Sequence, residues 1–241
     1  MVVSVSQSNY VPWKGYFDMI ARSDVFVIYD EVQFTKNDWR NRNLIKTPKG
    51  TEWLTIPVKQ DHLDQKICET KVAFNKWNKK HLGTLQANYA KAKSFNEVKE
   101  EVFDWYSIDT DLLSEINAHF IKNVCAFLGI STKLIDSREL DLQGDRNERL
   151  VDACQKLGAD TYLSGPAART YLAGTLFDQS GLSVEWMEYG GYNEYDQLYP
   201  PFEHGVSILD LLFNEGSMSA AKMKKGYADI EKGDFMGDSR R

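Results

Sequence analysis

Val25-Phe26-Val27-Ile28-Tyr29-Asp30-Glu31 is the stretch on which the reading of the fold turns. Its β-branched and aromatic residues follow one another with no polar face, the pattern of a strand covered on both sides, and the acidic pair ends it. A shorter run of the same kind, Val2 to Val5, precedes it. Between the two, Pro12 stands where a first helical residue is tolerated, and Tyr16, Phe17 and Ile20 recur at helical spacing. Strand, loop, helix, strand is the unit from which parallel sheets are built.

Outward from this unit the alternation continues. Trp53 to Val58 reads as a strand, placed at an edge or a strand end because Pro57 lacks an N–H. Asn75 to Trp105 is helical and polar. Asp109 to Leu128 is a stronger helix, with Leu112, Leu113, Ile116, Phe120, Val124, Phe127 and Leu128 on one apolar face and Gly129 as its cap. Then follow Lys133 to Ile135 as strand, Arg146 to Leu157 as helix ending at Gly158, Thr161 to Leu163 as strand, Ala167 to Leu172 as a short helix, and Val184 to Tyr189 as strand. Ser207 caps a late helix through Phe213, and the charged segment after Gly216 reads as a peripheral helix or frayed tail. The expectation is an α/β protein with a mostly parallel, Rossmann-like sheet and helices on both faces. Residues 1–241 form one domain, with the segment at about 75–128 a candidate helical sub-lobe.

The 241 residues are 42% hydrophobic and 27% charged, enough apolar material to close a core without staples or metal. Lys and Arg number 29 against 35 Asp and Glu, a formal charge of −6, which argues against nucleic acid or an anionic membrane as partner. Any anion site has to be local. Cys68, Cys125 and Cys154 are far apart and form no C-x-x-C pair, so neither a disulfide framework nor a zinc cluster is expected. His62, His81, His119 and His204 share no metal-ligand spacing, and no metal is expected. The first residues lack the basic start and long apolar run of a secretory signal, and no apolar stretch is long enough for a membrane span. The reading is a cytoplasmic protein; the oligomeric state stays open, a homodimer being one candidate.

In parallel sheets ligands bind beyond the carboxyl ends of the strands, so the loops leading into helices are where function is sought. The first, Gln7 to Tyr16, gathers Gln7, Asn9, Tyr10, Trp13, Lys14, Gly15 and Tyr16. Its N–H groups suit a phosphate or carboxylate and its rings a base or sugar face, while the plainer reading has Tyr10, Trp13 and Tyr16 pack the helix. The second, Asp30 to Gly50, concentrates Lys36, Arg40, Arg42, Lys46 and Lys49 around Gln33, Trp39 and several asparagines. Guanidinium forks match phosphate oxygens in pairs, so a diphosphate grip is the functional reading and a solvated basic loop the bland one. The third, Leu163 to Tyr171, offers Ser164, Gly165, Arg169 and Tyr171 after a strand. None of the three is a G-x-S-x-G elbow, a P-loop or a G-x-G-x-x-G fingerprint, which makes Ser164 a binder rather than a nucleophile.

These residues resemble the WbqC-like family of bacterial O-antigen and surface-polysaccharide gene clusters. The resemblance is carried by Gln7, Asn9-Tyr10, Pro12-Trp13 and Gly15-Tyr16-Phe17; by Asp30, Val32-Gln33-Phe34, Arg40-Asn41-Arg42 and Lys46-Thr47; and by Trp53 with Thr55 to Val58. His81, Tyr89, the stretch from Gly158 to Tyr171, Phe202 and Ser207 to Leu212 extend it to nearly the whole chain. Where the family pattern begins His-Gln-Pro-Asn-Tyr, this chain has Ser6-Gln7-Ser8-Asn9-Tyr10, so no catalytic role passes to position 6.

The resemblance implies transfer of glycine, or another acyl group, to the amine of a nucleotide-linked amino sugar. No resident cofactor is implied; the acyl group arrives on an activated donor, a thioester or an adenylate. Asp30 and His81 are the candidates for a base that takes the proton from the attacking amine. With no cysteine or serine in a nucleophile motif, direct attack is expected rather than an acyl-enzyme. The rival expectations are an ATP-dependent ligase that makes its own adenylate and a non-catalytic sugar-nucleotide binding or scaffold protein.

Overall fold

A computed structural model of the protein describes residues 1–223. The chain runs β1 (Val2–Ser6), α1 (Lys14–Ala21), β2 (Val25–Ile28), β3 (Arg42–Thr47), β4 (Gly50–Thr55), β5 (Val58–Lys59), β6 (Lys71–Val72), α2 (Trp77–Tyr89), α3 (Phe95–Asp104) and α4 (Leu113–Phe127). It continues through β7 (Lys133–Asp136), α5 (Arg146–Leu157), β8 (Thr161–Ser164), α6 (Gly174–Gln179), β9 (Ser183–Trp186) and α7 (Ile208–Glu215).

The central sheet has the order β7-β2-β1-β8-β9, with every neighbouring pair parallel. The chain builds outward from β1 through β2 to β7, then crosses back to lay β8 on the other side of β1. The order therefore reverses between β1 and β8, and a crevice opens there beyond the carboxyl ends of the two strands.

β2 is buried along its length because each of its faces meets a helical layer. Phe26 and Ile28 join the cluster of Phe17 and Ile20 from α1, Phe120 and Val124 from α4, and Leu212 from α7. Val25 and Val27 face the other way, to Leu150, Val151 and Cys154 of α5 and Phe177 of α6. The sequence patterns of α4 and α5 end as read, at Gly129 (φ 71°) and Gly158 (φ 70°), both in the left-handed region that glycine takes at a helix C-terminus. Among the described residues no helix is long and apolar enough to cross a membrane. Of the segment read as a peripheral helix or tail, residues 216–222 form a 3-10 turn and residues 224–241 lie outside the described residues.

One segment departs from its expectation. Arg42–Thr47, read as part of a cationic loop, is a strand that pairs antiparallel with Gly50–Thr55 in the register Leu44 with Trp53. Its alternation was masked because polar Asn43 and Thr47 and cationic Lys46 are among its buried positions. The expected strand at Trp53 to Val58 is correspondingly split, with Ile56-Pro57 between β4 and β5.

A buried carboxylate ties these parts together. Asp210, in the first turn of α7, accepts hydrogen bonds from Tyr89 (2.9 Å), Tyr195 (2.5 Å) and Gln197 (2.7 Å). The Tyr89 hydroxyl in turn accepts from the Lys46 backbone N–H at 2.9 Å, so one oxygen joins α2, β3 and α7. Removing it in Tyr89→Phe leaves a buried N–H short of its acceptor and a buried carboxylate short of a donor. The expected cost is about 1 to 3 kcal/mol in urea unfolding; a variant as stable as the parent would show that the junction carries no load.

Candidate functional site

The first loop leaves β1 at the crevice, and side chains from several elements fix its backbone. Asp30, just beyond β2, accepts from Ser8 N (2.8 Å) and Ser8 Oγ (2.6 Å). Asn117 of α4 donates to Ser8 Oγ (3.0 Å) and to the Arg40 carbonyl (2.8 Å). Arg40 donates to Asn9 Oδ1, and Tyr10 N donates to the Trp39 carbonyl at 3.0 Å. Asn43 of β3 donates to the carbonyls of Tyr10 (3.1 Å) and Val11 (3.0 Å), and Ser207 Oγ donates to Val11 O at 2.7 Å. Val11 sits at φ 35°, which a β-branched residue holds only where its surroundings over-determine it.

Beside this loop lies a cleft of about 1060 Å³, lined from the first loop by Gln7, Asn9 and Trp13 and from the turn after β8 by Ser164 and Gly165. Tyr16, from α1, also lines it and donates to the Gln7 carbonyl at 3.0 Å. Arg146 and Arg149, three apart and so on one face of α5, bring two guanidinium groups to the lining. Arg146 stacks on Tyr171 with its guanidinium carbon 3.7 Å from the ring centroid, while Arg149 donates to Tyr29 Oη (3.2 Å) and Gly144 O (2.9 Å). Among the described residues the lining holds one carboxylate, Asp145, and it is engaged in capping α5 by accepting from Asn147 N (2.8 Å) and Glu148 N (3.0 Å). The cleft is thus a local cationic surface in an acidic chain, and its positive charge comes from the two side chains rather than from the capped helix end.

Aromatic rings complete the walls. Trp13 packs its indole against Tyr189 and Tyr192 at centroid distances of 5.1 and 5.8 Å, and burial pushes the Tyr189 hydroxyl up to about 12, so it stays neutral. Gly15 is there for this indole: a Cβ at position 15 would come within 2.3 Å of Trp13 Cζ2. Gly165, by contrast, has φ −72° and a Cβ there would touch only Tyr189 Oη at 3.8 Å, so nothing in the protein demands glycine. The room it leaves opens on the cleft. Among the described residues no group of three or more His, Cys, Asp or Glu side chains is arranged to hold a metal ion.

Of the residues singled out from the sequence, Gln7, Asn9, Trp13, Tyr16, Gln33, Ser164, Gly165 and Tyr171 come together in the cleft lining. The cationic run of the second segment does not. Arg42 lies 4.0 Å above the Trp53 ring and bonds Asn37; buried Lys46 donates to the Pro201 carbonyl at 2.6 Å; Lys36 is exposed; and Arg40 acts at one remove, through Asn9. Lys14 is enclosed by Tyr192, Tyr195 and Phe202 at 5.0 to 5.3 Å and donates to His204 Nδ1 (3.1 Å); burial pushes its ammonium down to about 8. Arg169 lies 5.1 Å over Trp186, outside the lining. What the sequence reading missed is Arg146 and Arg149. Their signal was Gly144-Asp145-Arg146 at a loop-to-helix junction following a sheet strand, the same position as the three loops singled out.

Asp30 and His81, the expected bases, are likewise outside the cleft lining. Tyr10 is fully buried and its hydroxyl bonds His81 Nδ1 (2.8 Å) and Tyr106 Oη (2.9 Å). His81 Nε2 donates to the Thr55 carbonyl at 2.9 Å, which leaves Nδ1 as the acceptor. Burial pushes His81 down to about 4 and Asp30 up to about 6, so each resists its charged form. Both groups hold the first loop from beneath.

The profile of the WbqC-like protein family matches residues 7–222. The uncharacterized protein Rv1507c of Mycobacterium tuberculosis is 45% identical over 217 residues, covering 89% of this chain and 94% of its own. No solved structure matches the chain.

Two outcomes follow from this geometry. Asp30, with its folded value raised from 3.8 to about 6, contributes stability below its unfolded value that is lost as pH rises through about 6. Depressed His81 acts oppositely, losing stability as pH falls from 6.5 towards about 4. Asp30→Asn removes the first effect alone. Between pH about 7.5 and about 4.5 the parent should gain about 2 kcal/mol relative to this variant in urea unfolding; parallel profiles would contradict the buried charge. Gly15→Ala has to displace the Trp13 ring, with an altered near-ultraviolet dichroism and a loss of about 1 to 3 kcal/mol. An unchanged spectrum would show that the indole is not held there.

Proposed function

The chain belongs to the WbqC-like protein family, and from that premise we propose that its cleft holds a nucleotide-linked amino sugar whose amine is acylated there, with glycine as the acyl group. The observation that carries this reading is the arginine pair: Arg146, stacked on Tyr171, and Arg149, held by Tyr29, in a cleft whose one carboxylate among the described residues is committed to a helix cap. Positively charged forks suit the paired oxygens of a diphosphate, and the rings of Trp13, Tyr171 and Tyr189 suit a base or sugar face. The position at the strand-order reversal is where open parallel sheets place such ligands. A cytoplasmic role in bacterial surface-polysaccharide synthesis fits this substrate.

Direct aminolysis is the chemistry that the lining allows. The free amine attacks the acyl carbonyl carbon and the new C–N bond forms. The C–S bond of a thioester, or the C–O bond of an adenylate, breaks, and the electron pair leaves with the thiolate or AMP. The proton released from nitrogen passes to the leaving group or to water. Among the described residues no histidine, lysine or cysteine lines the cleft, so the protein's contribution is to hold the amine against the donor. That same lining gives the second reading, a sugar-nucleotide binder without turnover, its specific support.

Incubation with UDP- and dTDP-linked amino sugars and a glycyl thioester or glycyl adenylate should add one glycyl unit to the sugar by mass. Release of AMP and pyrophosphate from ATP and free glycine would instead identify a ligase, and saturable binding without product would identify the binder. Arg146→Ala and Arg149→Ala are each expected to weaken sugar-nucleotide binding about 10- to 100-fold in calorimetry, with the exposed Lys49→Ala unchanged. Undiminished affinity in both cleft variants would remove the diphosphate grip.

A further inference from the structure

A second cavity, of about 270 Å³, is lined by Asn9, Pro12, Trp13, Trp39, Asn43 and Gly205. It shares Asn9 and Trp13 with the large cleft, so these two side chains are the boundary between the cavities. Resting on the reading of the large cleft as the nucleotide site, we propose that the smaller cavity is the sugar subsite, in which one uncharged face of a pyranose ring lies against the indole of Trp39.

The character of the walls selects this occupant. Among the described residues no charged side chain lines the cavity, which leaves the phosphates to Arg146 and Arg149, and its volume is below that of the usual drug-sized pocket but ample for one ring. Trp39 is 41% exposed, an expensive state for an indole that the surroundings keep in place. Its backbone is tied at both ends, by Tyr10 N to its carbonyl (3.0 Å) and by its own N–H to Asp38 Oδ1 (2.7 Å). Its ring is braced by Trp53 at 5.2 Å, which itself carries Arg42. A rigid, exposed ring beside a cavity is a platform for the C–H face of a sugar, whose slightly positive hydrogens meet the negative face of the ring.

The polar handle is Asn9. Its Oδ1 accepts from Arg40, which can only donate, and this fixes the amide orientation; its Nδ2 makes no hydrogen bond to the described residues and is left for a sugar hydroxyl. Asn43, the other amide in the lining, is fully engaged with the carbonyls of Tyr10 and Val11 and with Leu44 N. This gives Arg40 and Arg42, which lie outside the large cleft, a part in recognition: one orients Asn9 and the other braces the tryptophan pair.

The test compares three probes on the full chain by calorimetry: UDP, UDP-linked hexosamine, and the methyl glycoside of the same hexosamine. Trp39→Ala should leave UDP affinity within about twofold, lower affinity for the UDP-linked sugar about tenfold, and abolish the weak binding of the methyl glycoside. Trp39→Phe, which keeps a ring in place, should recover most of the loss. Equal effects on UDP and its sugar conjugate, or none on either, would overturn the sugar subsite while leaving the nucleotide reading of the cleft intact. Methyl glycoside binding that depends on Trp39 without any UDP binding would support the subsite and defeat the nucleotide reading. Absence of binding by all three probes would overturn both.

Discussion

The backbone of residues 8–11 is the part of this molecule on which the rest of the site depends. It lies at the reversal of strand order, where no strand or helix pairs its N–H and C=O groups, so apart from the bond of Tyr10 N to the Trp39 carbonyl it is side chains that hold it. Asp30, Asn117, Arg40, Asn43 and Ser207 come from separate parts of the chain and meet on this one loop. Their combined hold keeps Val11 at φ 35°, where a free chain would not leave it. The loop then forms a wall of both cavities through Asn9 and Trp13.

This explains why the residues that look most catalytic in the sequence are not at the surface of the cleft. An aspartate at a strand end and a histidine in a polar helix are what a general base looks like when only residue types are visible. In three dimensions Asp30 receives the Ser8 N–H and hydroxyl, and His81 receives the Tyr10 hydroxyl, so both act on the loop and through it on the cleft. Buried polar groups of this kind are costly unless fully paired, and once paired they specify a single arrangement. Ser8, where the family pattern carries proline, supplies both the N–H and the hydroxyl that Asp30 accepts, a bond that proline could not donate.

Much of the fold was legible because its signals are local. The apolar run at Val25 to Ile28, the capping glycines Gly129 and Gly158, and Ser207 before α7 each carry their meaning within a few residues. The hairpin at Arg42–Thr55 was not legible, because buried Asn43 and Lys46 earn their places by bonds to Tyr10, Val11 and Pro201, partners remote in sequence. For the same reason the cations of the second segment looked like an anion site when counted by charge. The charged groups of Arg40, Arg42 and Lys46 are committed to Asn9, Asn37, Trp53 and a carbonyl, and commitment of this sort is a property of the assembled structure. Arg146 and Arg149 were hidden for the opposite reason, since within a well-formed amphipathic helix two arginines three apart read as its solvated face.

A cleft of this composition constrains the reaction it can host. With two arginines, several aromatic rings and, among the described residues, no histidine, lysine or cysteine in its lining, it has little means of activating a poor nucleophile. It does have the means to hold two partners in register, because its walls are fixed by a loop that itself has no freedom. An amine already carries its reactive lone pair, and an activated acyl donor already carries its leaving group, so orientation alone converts their encounter into a reaction between neighbours. Under the proposed acyl transfer, the fixed placement of residues 8–11 would be what the site contributes, and the buried carboxylate and imidazole, which bond Ser8 and Tyr10, would act through that loop.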